Sequence, residues 1–220
     1  MQDLIKQEQF EIEVLQRLNS KRLLNNLVFI GGTMLRLCYG LNRFSIDLDF
    51  WLAKTTNPKR LYQNILDILK NQYTVKDSAI KMRTLLFEVK SPQYPRSLKI
   101  EIRTDKIQKK LETSIAYSRY VPNQIFLKTL PLEAMMEAKI AAFLDRKEIR
   151  DAFDMEFLLQ RGVLLKVDNK QLEEMSKTLD QFSTRDYTVK LGSLLEPSQR
   201  VYYNKSNFKI LRMAMRALNI

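Results

Sequence analysis

The chain has 220 residues, 45% of them hydrophobic, enough for one large domain or two small ones around a buried core. Lys and Arg number 37 against 25 Asp and Glu, a formal charge of +12 that favours polyanionic partners such as nucleic acid or nucleotides. Histidine is absent, which excludes Ser-His-Asp and Cys-His hydrolysis, His-ligated zinc and imidazole proton shuttles, and leaves carboxylates, lysine, hydroxyls and one thiol.

The single cysteine, Cys38, forms no internal disulfide, and no leading apolar signal segment is visible, so a reducing cytoplasm is the expected location. No run approaches the roughly 18 apolar residues of a membrane span. In chain order, residues 3–18 place Leu4, Phe10, Val14, Leu15 and Leu18 on one face among Glu, Gln and Lys, which predicts an amphipathic helix. Residues 27–30 form a short apolar strand ending in Gly31-Gly32, with Thr33 before the helix-compatible residues 34–37. Only five glycines occur in the whole chain, so two of them side by side call for a reason.

Residues 45–51 alternate polar and apolar with period two, as a half-buried strand does. Pro58 opens a helix to about residue 70. Residues 73–75, 84–90 and 98–103 read as three more strands, with Pro92 and Pro95 breaking the chain between the last two. The sheet side ends near residue 128. Beyond Pro131 the period becomes helical, over 132–144, 149–159, 171–182 and 207–218. The pattern predicts an α/β (α+β) domain over residues 1–128 followed by a helical bundle over 129–220.

Asp47 and Asp49 stand two apart on a predicted strand, so both carboxylates point to one face, about 7 Å apart along the backbone. Facing like charges resist joint ionisation, and a divalent cation between them removes that penalty. Fourteen residues before Asp47, Gly31-Gly32-Thr33 makes a strand-to-helix turn whose free N–H groups favour phosphate, with the Thr33 hydroxyl as a further donor. A phosphate-cradling turn followed by paired carboxylates suits nucleotidyl transfer, in which metal ions bridge the triphosphate. Glu101, on the strand over 98–103, is the candidate third carboxylate, with Glu88 as rival; Glu101 could also simply pair with Lys99 or Arg103.

The segments Gly31-Gly32-Thr33-Met34-Leu35-Arg36 and Arg43-Phe44-Ser45-Ile46-Asp47-Leu48-Asp49-Phe50 closely resemble the signature of the AbiEii/AbiGii toxin nucleotidyltransferases, in the polymerase-beta-like superfamily. The stretch from Glu133 to Phe143, then Arg146 and Arg150-Asp151-Ala152-Phe153-Asp154, resembles that family's later motifs. The resemblance implies a mixed nucleotidyltransferase sheet flanked by helices, a C-terminal helical domain, and Mg2+-dependent use of an NTP. It implies Asp47 and Asp49 as metal ligands with Glu101 beside them, and Gly31, Gly32, Thr33, Arg36 and Ser45 as nucleotide contacts. Lys139 becomes a triphosphate or catalytic lysine, with Arg146 two helical turns further on. Members act as toxins of toxin-antitoxin and abortive-infection systems, which implies a cognate antitoxin. Thr33 stands where serine is common in the wider superfamily, and Glu101 where aspartate is more usual.

The expected activity is therefore transfer of an NMP group from an NTP to an RNA acceptor, with transfer RNA as one candidate. The alternative is a non-catalytic nucleotide- or RNA-binding protein that keeps the fold, and a third class would modify a small molecule. Asp151 and Asp154 share a helix face and are read as structural salt-bridge residues, for instance Asp154 with Arg150 at i, i+4. Lys205, Lys209, Arg212 and Arg216, spaced 4, 3 and 4, would form one basic stripe on a continuous helix. Tyr202 and Tyr203 either stack bases or fill core, and Met135, Met136, Met213 and Met215 are expected to pack the bundle.

Overall fold

The computed structural model describes residues 1–53, 56–105 and 109–218; Asn219 and Ile220, at the end of the expected helical tail, lie outside the described residues. By contact density the chain falls into two compact units, residues 1–40 with 44–130, and 41–43 with 131–220. The short segment 41–43 thus joins the helical unit although it lies far upstream in sequence. Among the described residues no helix is long and apolar enough to cross a membrane.

The first unit is built on strands Leu27–Ile30 (β1), Asp47–Leu52 (β2), Thr74–Ile80 (β3), Thr84–Lys90 (β4), Leu98–Arg103 (β5), Glu112–Ser118 (β6) and Val121–Thr129 (β7). They form one mixed sheet in the order β3-β4-β5-β2-β1-β7-β6. β1 runs antiparallel to β2 and parallel to β7, while β2 runs parallel to β5. Helices Gln2–Ser20 (α1), Gly31–Tyr39 (α2) and Pro58–Gln72 (α3) accompany the sheet. Leu48 and Phe50 of β2, Phe87 of β4 and Ile100 of β5 are all buried. In β2 and β5 the alternation of buried residues with half-buried or exposed neighbours is the period-two pattern of the sequence.

The first unit differs from the sequence expectation in three respects. β3 runs to Ile80, well past residue 75; it is an edge strand with most side chains exposed, so no alternation marks it. β6 and β7 carry no strong strand pattern either, since β6 forms the other edge and Pro122 interrupts β7 near its start.

The third difference is α1, whose buried face carries Gln7, Glu8 and Glu11 as well as the predicted apolar residues. Gln7 Nε2 donates to the carbonyls of Ile46 (3.2 Å) and Ser97 (3.3 Å). Glu8 accepts from Arg36 and from the Ser118 hydroxyl. Among the described residues, neither carboxyl oxygen of Glu11 finds a hydrogen-bond partner. Burial holds the Glu11 carboxyl well above the usual carboxylate range, the charges of Glu8 and Asp47 add to the rise, and Arg36 opposes it.

A raised folded-state pKa means that, above pH 4.5, the native protein keeps a proton that the unfolded chain releases, so this group erodes stability as pH climbs. Glu11→Gln, which cannot ionise, should therefore be the more stable protein at pH 8, by about 1–3 kcal/mol, and lose that advantage towards pH 4.5. Chemical denaturation at both pH values checks it; a pH-independent difference would refute the assignment.

The second unit holds helices Leu132–Arg146 (α4), Ile149–Gln160 (α5), Asn169–Asp180 (α6), Pro197–Ser206 (α7) and Lys209–Ala217 (α8), with short irregular helical turns between Asp186 and Leu194. α6 starts with a capping box, Asp168 accepting from the Gln171 N–H while the Gln171 side chain accepts from the Asp168 N–H. α8 is started by a buried side chain from another helix, since Glu156 accepts the Leu211 N–H at 2.9 Å. Phe153, Phe182, Tyr187, Tyr203 and Phe208 pack against one another as an aromatic cluster. Met135, Met136 and Met215 are buried as expected, whereas Met213 is 57% exposed.

The expected basic stripe does not form. Asn207 and Phe208 both take left-handed backbone conformations, φ 46° and 57°, and split the segment into α7 and α8. Lys205 therefore lies on a different helix from Lys209, Arg212 and Arg216. Arg212 is also engaged, donating to Asp180 Oδ1 at 2.6 Å and to the Leu179 and Asn207 carbonyls.

Candidate active site

The Gly31-Gly32 pair answers a specific steric demand. Gly31 has φ +83°, and a Cβ built on it would lie 2.6 Å from Asp49 Oδ2. The missing side chain thus makes room for the carboxylate of Asp49, whose backbone pairs with Ile30, the last residue of β1. α2 begins at this glycine, nine residues long and without a side-chain N-cap, and its first N–H groups have no acceptor within the helix itself.

Thr33 is fully buried, and its hydroxyl donates to the backbone carbonyl of Asp47. The proton that the sequence reading offered to phosphate is thus engaged in tying the first turn of α2 to the start of β2. Ser45 is half-buried in the segment leading into β2. Arg36, read as a nucleotide contact, is held elsewhere: its Nε donates to Glu8, its guanidinium lies 3.7 Å from the centroid of Phe44, and its side chain is 10% exposed.

Asp47 and Asp49 share one face of β2, both half-buried, with Leu48 and Phe50 turned into the core. In the parallel pairing with β5, Asp49 lies beside Glu101 and Asp47 beside Lys99. Glu88 pairs with Lys99 from β4, one strand further out. With strands about 4.8 Å apart, Glu101 is the neighbour of the Asp47-Asp49 pair, and Glu88 is a strand removed. Lys99 and Glu101 also form an ion pair, the partnership that the sequence left open.

The hydrogen bond to Glu101 raises the Lys99 pKa, and the charges of Asp47 and Asp49 add to that rise. These residues fit a hard divalent cation: they are oxygen donors on one sheet face, and they already attract an ammonium group. No described group of three or more acidic or cysteine side chains is drawn together as a ready-made cage. Burial pushes the Cys38 thiol up to about 12, so the chain's single thiol stays protonated near neutral pH.

The later motif folds within the helical unit as an alternating chain of charges. Arg43 grips Asp154 through two bonds of 2.7 Å. Lys139 Nζ reaches Asp154 Oδ2 at 2.6 Å and Asp151 Oδ1 at 3.2 Å. Arg146 grips Asp151, again through two bonds of 2.7 Å. Both aspartates and Lys139 are buried, whereas the Arg146 side chain is half exposed. Burial alone would raise the Asp154 pKa, but Arg43 and Lys139 hold it below the usual value. Arg43 is the member that the sequence reading missed, because the local i, i+4 rule pointed to Arg150 for Asp154.

No curated protein sequence matches the chain. Among solved structures, a protein from H. pylori assigned as a nucleotidyltransferase superposes with a TM-score of 0.58 at 23% identity, over 95% of this chain and 96% of the other. JHP933 from Helicobacter pylori superposes with a TM-score of 0.55 at 24% identity, over 93% and 94%. At such identities the likeness speaks for the fold, a mixed nucleotidyltransferase sheet flanked by helices. The sequence profile described as "Nucleotidyl transferase AbiEii toxin, Type IV TA system" matches residues 13–215, nearly the whole length, and on that match the chain belongs to the AbiEii nucleotidyl transferase toxin family.

Proposed function

We propose that this protein transfers an NMP group from an NTP to a hydroxyl of an RNA acceptor, and that it does so as a toxin restrained by a cognate antitoxin in the cytoplasm. The observation that carries the reading is the close fit of the Asp49 carboxylate into the space left at Gly31, which joins the acidic face of β2 to the uncapped start of α2. Asp47, Asp49 and Glu101 would hold Mg2+, which neutralises triphosphate charge and favours departure of pyrophosphate.

The N–H groups of Gly31, Gly32 and Thr33 bind phosphate oxygens with the helix dipole behind them. The bond from the Thr33 hydroxyl to the Asp47 carbonyl keeps that turn and the carboxylates in one register. Glu101, beside Asp49, accepts the acceptor hydroxyl's proton as its oxygen bonds to the α-phosphorus and the bond to pyrophosphate breaks. Lys139 and Arg146 are engaged by Asp151 and Asp154, and no step is assigned to them. Transfer RNA is one candidate acceptor.

The test is incubation of the purified protein with each α-labelled NTP, Mg2+ and total RNA. Label in an RNA band, lost on chelation by EDTA, is expected. Label only on low-mass products, or none with any NTP, would overturn the reading.

A further inference from the structure

The helical unit carries a second feature that transfer chemistry does not use. A cavity of about 180 Å3 opens between α5, α7 and the segment 41–43. Its apolar wall is aromatic, from the buried rings of Phe153, Phe157 and Tyr203. Around them stand three carboxamides, Asn42, Gln160 and Gln199, and the ring of Tyr202, which is 43% exposed. Among the described residues, none of these three amide side chains has a hydrogen-bond partner within the chain.

Each carboxamide carries two N–H donors and a carbonyl acceptor, so the site offers donors and acceptors next to flat aromatic surfaces. A ligand that uses both must be planar and have a hydrogen-bonding edge. A nucleobase has this form: its faces stack on aromatic rings, and its edges pair with Asn and Gln side chains. The volume lies below the roughly 300–1,000 Å3 of pockets for drug-sized ligands. It therefore suits a single heterocycle whose sugar and phosphate remain outside.

The charge around the cavity points the same way. Among the described residues no acidic side chain lines it. The guanidinium of Arg161 lies 5.1 Å from the centroid of the Phe157 ring, which places a cation beside the aromatic wall. Arg200 and Lys205 lie further along α7, outside the lining, with Arg200 Nε donating to the Leu195 carbonyl at 2.9 Å, within a chain of net charge +12. A neutral sugar would also stack on aromatic rings, but it would make no use of these cations.

We propose that this cavity is a nucleotide-binding subsite that takes one unpaired nucleobase stacked on the exposed Tyr202 ring with the carboxamides along its edge, and with the phosphate towards the Arg161 guanidinium. The base can come from a single-stranded nucleic acid or from a free nucleotide. Binding is read without turnover, so the proposal stands or falls apart from the transferase reading.

The test measures fluorescence anisotropy of a labelled single-stranded oligoribonucleotide on the full chain, in low salt and without NTP. It is compared with an abasic oligomer of equal length and with competition by unlabelled nucleoside monophosphates. Tyr202→Ala and the double variant Gln160→Ala/Gln199→Ala change exposed or half-exposed side chains, and circular dichroism confirms that both are folded. Each should weaken binding about tenfold, in line with the loss of one stacked base, and the abasic oligomer should bind wild type as weakly as the oligonucleotide binds the variants.

Competition by the monophosphates would identify free nucleotide as the source, and oligomer binding without such competition would identify nucleic acid. Equal affinity of wild type and both variants, or of base-bearing and abasic oligomers, would overturn the subsite.

Discussion

Asp47→Asn and Asp49→Asn should each lower nucleotide transfer on the order of a thousandfold while the protein stays folded, the scale of losing a group that stabilises charge in the transition state. Asparagine keeps the shape of aspartate, so the space beside Gly31 stays filled at position 49. The Thr33 hydroxyl can still donate to the backbone carbonyl at position 47. Only charge is removed, and with it the capacity to hold a divalent cation.

Stability should change little, because asparagine keeps the size of aspartate at two positions that are only half-buried. Transfer rates at saturating NTP and Mg2+, with thermal unfolding of the same samples, make the comparison. Either variant retaining activity within tenfold of wild type would remove that carboxylate from the chemistry.

The second large effect concerns the helical unit. Asp154→Ala should destabilise it by about 3–5 kcal/mol, the cost of removing one partner from a buried ion pair. Asp154 is fully buried and holds both Arg43 and Lys139, so its removal leaves two cations facing each other without their shared anion.

The depressed pKa of Asp154 sets the sign of the accompanying pH effect. Its contribution is present above the unfolded value of 3.8 and fades as pH falls through the lower, folded value. Urea unfolding at pH 7 followed by far-UV circular dichroism should show the loss, and the gap between wild type and variant should narrow in strong acid. A change below about 1 kcal/mol would mean that the network behaves as a solvated surface pair.

The sequence was most informative where one face of an element is buried and the other is not. β4 and β5 have the predicted bounds, and the acidic strand alternates as read. The glycine pair was legible as a turn, but its closeness to Asp49 was not, because that depends on the antiparallel register of β1 and β2. The same limit hid Arg43 and the inward face of α1. Gln7, Glu8 and Arg43 are buried against partners 28 to 111 positions away, and local periodicity counts such residues as solvent-facing. α7 escaped for a different reason, since only Tyr203 of its ten residues is buried.

The topology of the sheet also bears on how the protein is made. β1, which leads into the glycine turn, has β2 along one edge within the first 52 residues, but the other edge waits for β7, which ends at Thr129. A ribosome that has delivered Asp47 and Asp49 has therefore not yet supplied the strand that closes the sheet beside Val28 and Phe29. The hairpin of β6 and β7 pairs locally and can dock as one piece once it emerges. A nonsense fragment that stops before β6 would carry the acidic motif with an open, apolar strand edge, and it would reach the cell as a substrate for chaperones and proteases instead of a working toxin.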